Sequence, residues 1–153
     1  MGSGIFNAMD VAASGMTAQR TRLDIISQNI ANVNTTRDEN GEVYKRQTVV
    51  FQENSNSSFD HILSNKLETY DAKGVKIAAI VEDTTEGSMV YDPMHPDADE
   101  NGYVMLPNVN TVTEMTNMID ASRSYEANAT ANLHENIQKQ HEVYRPYTLI
   151  MLI

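Results

Sequence analysis

A chain of 153 residues is one domain's worth of material, and its 21 acidic against 11 basic residues give a net charge of -10. That balance repels a phosphate backbone, and no basic patch is segregated along the chain, so nucleic acid is not an expected partner. There is no cysteine, which excludes disulfides and thiolate metal sites.

The hydrophobic residues are concentrated in two terminal stripes at heptad spacing. Ile5, Met9, Ala12, Met16, Gln19, Leu23, Ile26, Ile30 and Val33 step by alternating fours and threes, which keeps one face of a helix in register with a partner. The spacing predicts a helix from about Ile5 to about Val33, roughly 40 Å long at about 1.5 Å per residue. Asn29, Asn32 and Asn34 with Thr35 and Thr36 mark its end, because their side chains compete for backbone hydrogen bonds. The first fifteen residues carry Gly, Ser, Asn and Asp where a secretory leader would have an apolar run, so no cleaved signal is expected.

Asp38 to Gly41 reads as a turn with an Asn-Gly step, and Val43 to Phe51 as a strand leaving it. Residues from about 53 to 74 are polar and rich in Ser and Asn, a flexible insert with one apolar patch at Phe59, Ile62, Leu63 and Leu67 that could form a short helix. Val75 to Val81, Ser88 to Tyr91 and Tyr103 to Leu106 read as further strands. The β-rich middle, 37–107, should hold only a small core.

Thr111 and Glu114 have capping-box spacing, which predicts a second helix starting near Thr111. Its stripe, Val112, Met115, Ile119, Ser122, Glu126, Ala129 and Leu133, repeats the heptad with a more polar seam. Pro146 is expected to end the helix near Tyr144, within the 108–145 segment, leaving 146–153 as an atypical apolar tail. The run Leu149 to Ile153 is far short of the roughly 20 residues a membrane helix needs.

The fold class expected is α+β: long terminal helices forming a coiled-coil-like assembly region, with a small β-rich domain between them. The two helices can pair with each other or with neighbouring copies. Two lone helices bury little against a small strand module, which favours packing against other copies. Polar groups in a heptad seam specify register and partner, so the expected subunit interface comprises Met9, Met16, Gln19, Leu23, Ile26, Asn29, Ile30 and Asn32 on the first helix, and Met115, Ile119, Ser122, Arg123, Tyr125, Glu126 and Asn128 on the second.

The sharpest competing motif is Asp97, Asp99, Asn101 and Gly102, which fits positions one, three, five and six of a calcium loop. The twelfth position is Asn108 rather than a bidentate Glu, and Pro96 and Pro107 interfere with flanking helices. The plainer reading is an acidic turn whose Asp and Asn side chains bond their own backbone and whose Asn-Gly step permits positive φ. Of the four histidines only His134 and His141 share a helix, two turns apart, so they make no metal pair. No Ser-His-Asp grouping, Gly-rich phosphate loop or close carboxylate pair is present, so no enzyme, cofactor or small-molecule substrate is expected.

Ala12-Ala13-Ser14-Gly15-Met16-Thr17-Ala18-Gln19-Arg20 and Asn29-Ile30-Ala31-Asn32-Val33-Asn34-Thr35-Thr36 together resemble the N-terminal signature of bacterial flagellar rod and hook proteins. Tyr91-Asp92-Pro93 to His95-Pro96, Asp97 to Val104, Pro107 to Asn110, and Ser122-Arg123-Ser124-Tyr125-Glu126-Ala127-Asn128 are similar to one branch of that family, the proximal rod proteins. The likeness spans about Asp10 to Asn128. It departs after Glu135, where NIQKQHEVYRPYTLIMLI replaces a Lys- and Met-containing amphipathic helix. A divergent or frame-shifted terminus would account for the change.

The resemblance implies a non-catalytic subunit of the flagellar basal body, whose terminal helices pack with those of neighbours into a helical tube that transmits motor torque. The partners it implies are further copies, other rod proteins, and the membrane ring and rod-adaptor proteins. It also implies passage, without a cleaved signal, through the flagellar export apparatus to the cell envelope.

Overall fold

The structure, a computed structural model, describes residues 2–37, 41–54 and 73–150; for 2–7 and 139–150 it describes only the helical backbone. Its elements are α1 (Gly2–Ala31), β1 (Gln47–Glu53), β2 (Val75–Glu82), β3 (Met89–Tyr91), β4 (Tyr103–Met105) and α2 (Thr111–Ile150). The arrangement is α+β. β1 pairs with β2 in one two-stranded sheet and β3 with β4 in another. The apolar patch at Phe59–Leu67, the turn residues Asp38–Asn40 and the tail end Met151–Ile153 lie outside the described residues.

The chain forms two compact units, one of residues 1–19, 51–76 and 123–153, the other of 20–50 and 77–122. In the first, α1 and α2 run antiparallel: Asn132 donates to the Met9 carbonyl at 3.3 Å, and Gly15 lies against the Asn128 side chain. A Cβ on Gly15 would come within 2.9 Å of Asn128 Nδ2, so a larger residue there requires the Asn128 side chain to shift. Ala12 and Ala18 are buried on the same face. Ser14 ties the strands to α1, accepting the Val75 amide at 3.1 Å while its hydroxyl donates to the Val11 carbonyl at 2.7 Å.

The second unit is organised around two fully buried polar side chains, Asn29 and Glu114, each 0% exposed. Asn29 Nδ2 donates to the Gln47 carbonyl at 2.8 Å and to Glu114 Oε2 at 2.9 Å. Its Oδ1 accepts from the Gln47 amide and the Tyr44 hydroxyl, both at 2.9 Å. All four hydrogen-bonding sites of the amide are thereby used, and the pair with Gln47 imitates a strand neighbour on the backbone. Arg46 closes on the other Glu114 oxygen through Nε at 2.9 Å and Nη2 at 2.8 Å, and Asn117 reaches the same oxygen at 3.3 Å. A buried carboxylate is tolerable only when paired and hydrogen-bonded in this way.

Outside that cluster, Asn108 accepts the Arg46 amide at 2.7 Å and donates to the Asp83 and Thr85 carbonyls. The Thr85 hydroxyl and amide, with Arg46 nearby, hold the partly exposed Asp83 carboxyl below its ordinary value. Ile25, Ile26 and Ala121 supply apolar packing around the cluster, and Val104 is the one buried strand side chain among those described. An isoleucine so buried contributes about 1.5–3 kcal/mol. β3 and β4 pair Met89 with Met105 and Tyr91 with Tyr103, whose rings meet edge-on at 5.2 Å.

The buried face of α1 is Ala12, Gly15, Ala18, Ile25, Ile26 and Asn29, which shares only Ala12 and Ile26 with the heptad stripe. Small side chains let the helices approach; Met9, Met16 and Leu23 remain half-exposed beside them. β1 begins at Gln47 rather than Val43, because Tyr44 and Arg46 turn their side chains into the buried cluster. α2 does start at Thr111, but its cap is Asn110, whose Oδ1 accepts the Thr113 amide at 3.1 Å. The Thr111–Glu114 capping box does not form because both Glu114 oxygens are engaged elsewhere. α2 continues to Ile150 instead of ending near Tyr144. Among the described residues no helix is long and apolar enough to cross a membrane.

Three outcomes follow from this packing. Gly15→Leu should lower stability by about 1–3 kcal/mol, read by thermal melting of the helical circular dichroism signal. Asn29→Ala strands the Glu114 oxygen, the Tyr44 hydroxyl and the Gln47 backbone, and should cost about 3 kcal/mol, whereas Glu114→Gln, which keeps the shape, should cost less than Glu114→Ala. Burial, then the Glu114 and Glu82 carboxylates, push the Tyr44 phenol above its ordinary 10.0. The stability linked to it is complete below that pH and declines as pH rises towards the folded value. Spectrophotometric titration should show one late-titrating tyrosine that is missing in Tyr44→Phe.

Candidate assembly interface

The large apolar side chains of α2 point away from the chain's own packing. α2 buries Glu114 and Ala121 and half-buries Asn117, Met118, Ser122, Ser124, Asn128, Ala129, Asn132 and Glu135, a seam of small and polar groups apart from Met118. The heptad stripe stands on another face: Val112 is 75% exposed, Met115 56%, Ile119 54% and Leu133 61%. Ile137, one turn beyond Leu133, is exposed as well. These uncovered apolar residues recur in register along one helix rather than as scattered single ones.

The expected interface residues separate into two groups. Ile26 and Asn29 are buried in their own unit, Asn128 packs on Gly15 and donates to the Ser124 carbonyl at 2.9 Å, and Asn32 bonds the Gln28 carbonyl at 2.9 Å and the Thr35 hydroxyl at 3.0 Å. Met115, Ile119, Arg123, Tyr125 and Glu126 are exposed on α2, while Ser122 on α2 and Met9, Met16, Gln19, Leu23 and Ile30 on α1 are half-exposed. The Gln19 Oε1 atom is shut from solvent and has no hydrogen-bond donor among the described residues.

Sequence reasoning passed over Tyr44, Arg46, Asn108 and Glu114, the groups that fix the second unit. One signal was present: Glu114, Ala121, Asn128 and Glu135 recur at intervals of seven, as do Gly15, Arg22 and Asn29. These series carry small or polar residues, so a search for hydrophobic periodicity does not register them.

The acidic loop between β3 and β4 holds itself together. Asp99 Oδ1 accepts the amides of Asn101 and Tyr103 at 2.9 and 2.7 Å, and Gly102 sits at φ 81°. Asp97 accepts the Thr36 hydroxyl at 2.7 Å and pairs with Arg37 at 3.1 Å. The carboxylates of Asp97 and Asp99 are thus engaged by backbone amides, the Thr36 hydroxyl and the Arg37 guanidinium, the pattern of the plainer acidic-turn reading, and nothing supports the calcium alternative at Asp97, Asp99 and Asn101. No grouping of three or more potential ligands suited to a metal occurs among the described residues.

Comparison with known proteins converges on one family. Residues 9–37 match the family model described as flagella basal body rod protein, and residues 100–131 match that of the flagellar basal body rod FlgEFG protein C-terminal region. The flagellar basal-body rod protein FlgC of Borreliella burgdorferi is 45% identical over 133 residues, covering 83% of this chain and 88% of the relative. FlgC of Bacillus subtilis is 43% identical over 132 residues, covering 82% and 87%. FlgC of Salmonella typhimurium is 37% identical over 124 residues, covering 81% and 84%. The two family matches fall on the helical segments that carry Asn29 and the exposed α2 stripe, and with relatives aligned over four-fifths of its length the chain belongs to the flagellar basal-body rod protein FlgC family.

Proposed function

We propose that this chain is a structural, non-catalytic subunit of the bacterial flagellar basal-body rod at its proximal end. It assembles through its long helices with copies of itself and with other rod proteins into a helical tube that passes on motor torque. The observation that carries this reading is the apolar heptad stripe of α2, uncovered by the chain's own packing. Family membership supports it independently.

A stripe on one copy that docks on a different surface of the next makes a head-to-tail contact, and such contacts build open helical filaments when they do not close into rings. The exposed Met115, Ile119, Tyr125, Arg123 and Glu126 are the first candidates for that contact, joined by Ser122, Met9, Met16, Gln19, Leu23 and Ile30 at its margin. Ile26, Asn29, Asn32 and Asn128 act one step back, holding the presenting helices in place. Passage through the flagellar export apparatus, residence in the basal body within the cell envelope, and contact with its membrane-ring and rod-adaptor proteins complete the reading.

Sedimentation against concentration tests it on the full chain. The mass should rise with concentration, while Ile119→Asp or Met115→Asp, changing exposed residues only, should keep the chain monomeric with an unaltered helical signal. A wild-type mass that stays monomeric at all concentrations overturns the reading.

A further inference from the structure

The second unit contains a polar cleft of about 150 Å³ lined by Arg22 on α1, Arg46 and Thr48, and Glu114 and Asn117 on α2, with Ile25 and Ile26 forming an apolar wall. Two guanidinium groups thus border one carboxylate, and that carboxylate is already bonded by Asn29, Arg46 and Asn117. Arg22 has no hydrogen bond or ion pair with any described residue. Arg46 is committed to Glu114 at 2.8 Å and to Asp83 at 3.7 Å, which leaves Arg22 as the cleft's guanidinium without an ion pair among the described residues, in a chain of net charge -10.

The complementary feature is Glu126. It is the acidic member of the α2 stripe Val112, Met115, Ile119, Ser122, Glu126, and its exposed side chain has no partner among the described residues. Covering the stripe with a neighbour removes that carboxylate from water, which is unfavourable unless a cation receives it. Copies of so acidic a chain also repel each other, so association needs points where opposite charges meet.

We propose that the Arg22 cleft receives the Glu126 carboxylate of a second copy of this chain. Guanidinium and carboxylate pair through two parallel hydrogen bonds, a geometry that fixes register as well as contact. The apolar stripe supplies the attraction between copies, and the Arg22–Glu126 pair selects which turn of one helix meets which part of the next. This inference rests on the assembly reading above.

A charge exchange in the full chain tests it by sedimentation. Arg22→Glu and Glu126→Arg should each weaken self-association by about tenfold or more, and combining them should restore it to within about threefold of wild type. Arg22→Gln and Glu126→Gln, which neutralise without reversing charge, should weaken it less and reduce its salt sensitivity. Helical melting of each variant checks that it folds, and the Gln pair supplies the comparison if a reversal does not. Single variants that associate like wild type, or a double reversal no stronger than the singles, overturn the pairing while leaving the assembly reading intact. A wild-type chain that never associates overturns both.

Discussion

The hydrogen-bonded contact between Asn29 and Glu114 is the constraint on which the second unit depends. Neither group reaches water, so each must find its partners inside the chain, and those partners come from α1, the 44–47 segment and the first turn of α2. An apolar contact could slide by a turn at small cost, whereas this cluster is satisfied in one register only. With few buried apolar side chains around it, the unit draws its specificity from polar geometry rather than from the volume of a core.

That choice of internal contact explains what the surface looks like. In the first unit the helices meet through Gly15 and Asn128, and in the second through Asn29 and Glu114, so small and polar groups carry much of each contact. Val112, Met115, Ile119 and Leu133 are left in water, where each exposed apolar group favours association. The same sequence thus separates two tasks on adjacent helix faces. Close-packed small and polar residues hold the chain together, and a heptad of larger residues remains available to a neighbour. A subunit built for a polymer needs both, since a helix that satisfied its stripe internally would have nothing to offer the next copy.

The acidic loop shows what the carboxylates of a partial calcium-loop pattern bond to when donors lie close by. Asp97 and Asp99 have calcium-loop spacing, yet the closest donors are the amides of Asn101 and Tyr103, the Thr36 hydroxyl and the Arg37 guanidinium. Backbone donors two to four residues away are reached without ordering further chain, so the local turn forms first. The Asn-Gly step was legible as a positive-φ turn, and Gly102 adopts one. The Arg37 pairing was not legible, because it joins residues sixty positions apart in sequence.

The sequence by itself determined the two long helices, their start at Thr111 and end near Asn32, the strand-bearing middle and the family, because periodicity, cap residues and local signatures act over a few residues at a time. It also determined that α2 carries a heptad of apolar residues. Only the tertiary structure decided which face of each helix points inward. That depends on how closely two backbones can approach and on where a buried carboxylate finds its donors, and Gly15 against Asn128, Asn29 against Glu114 and Arg46 beside them are separated by up to more than a hundred residues of chain. Periodicity reports that a face exists; packing distance and polar satisfaction determine which face is buried.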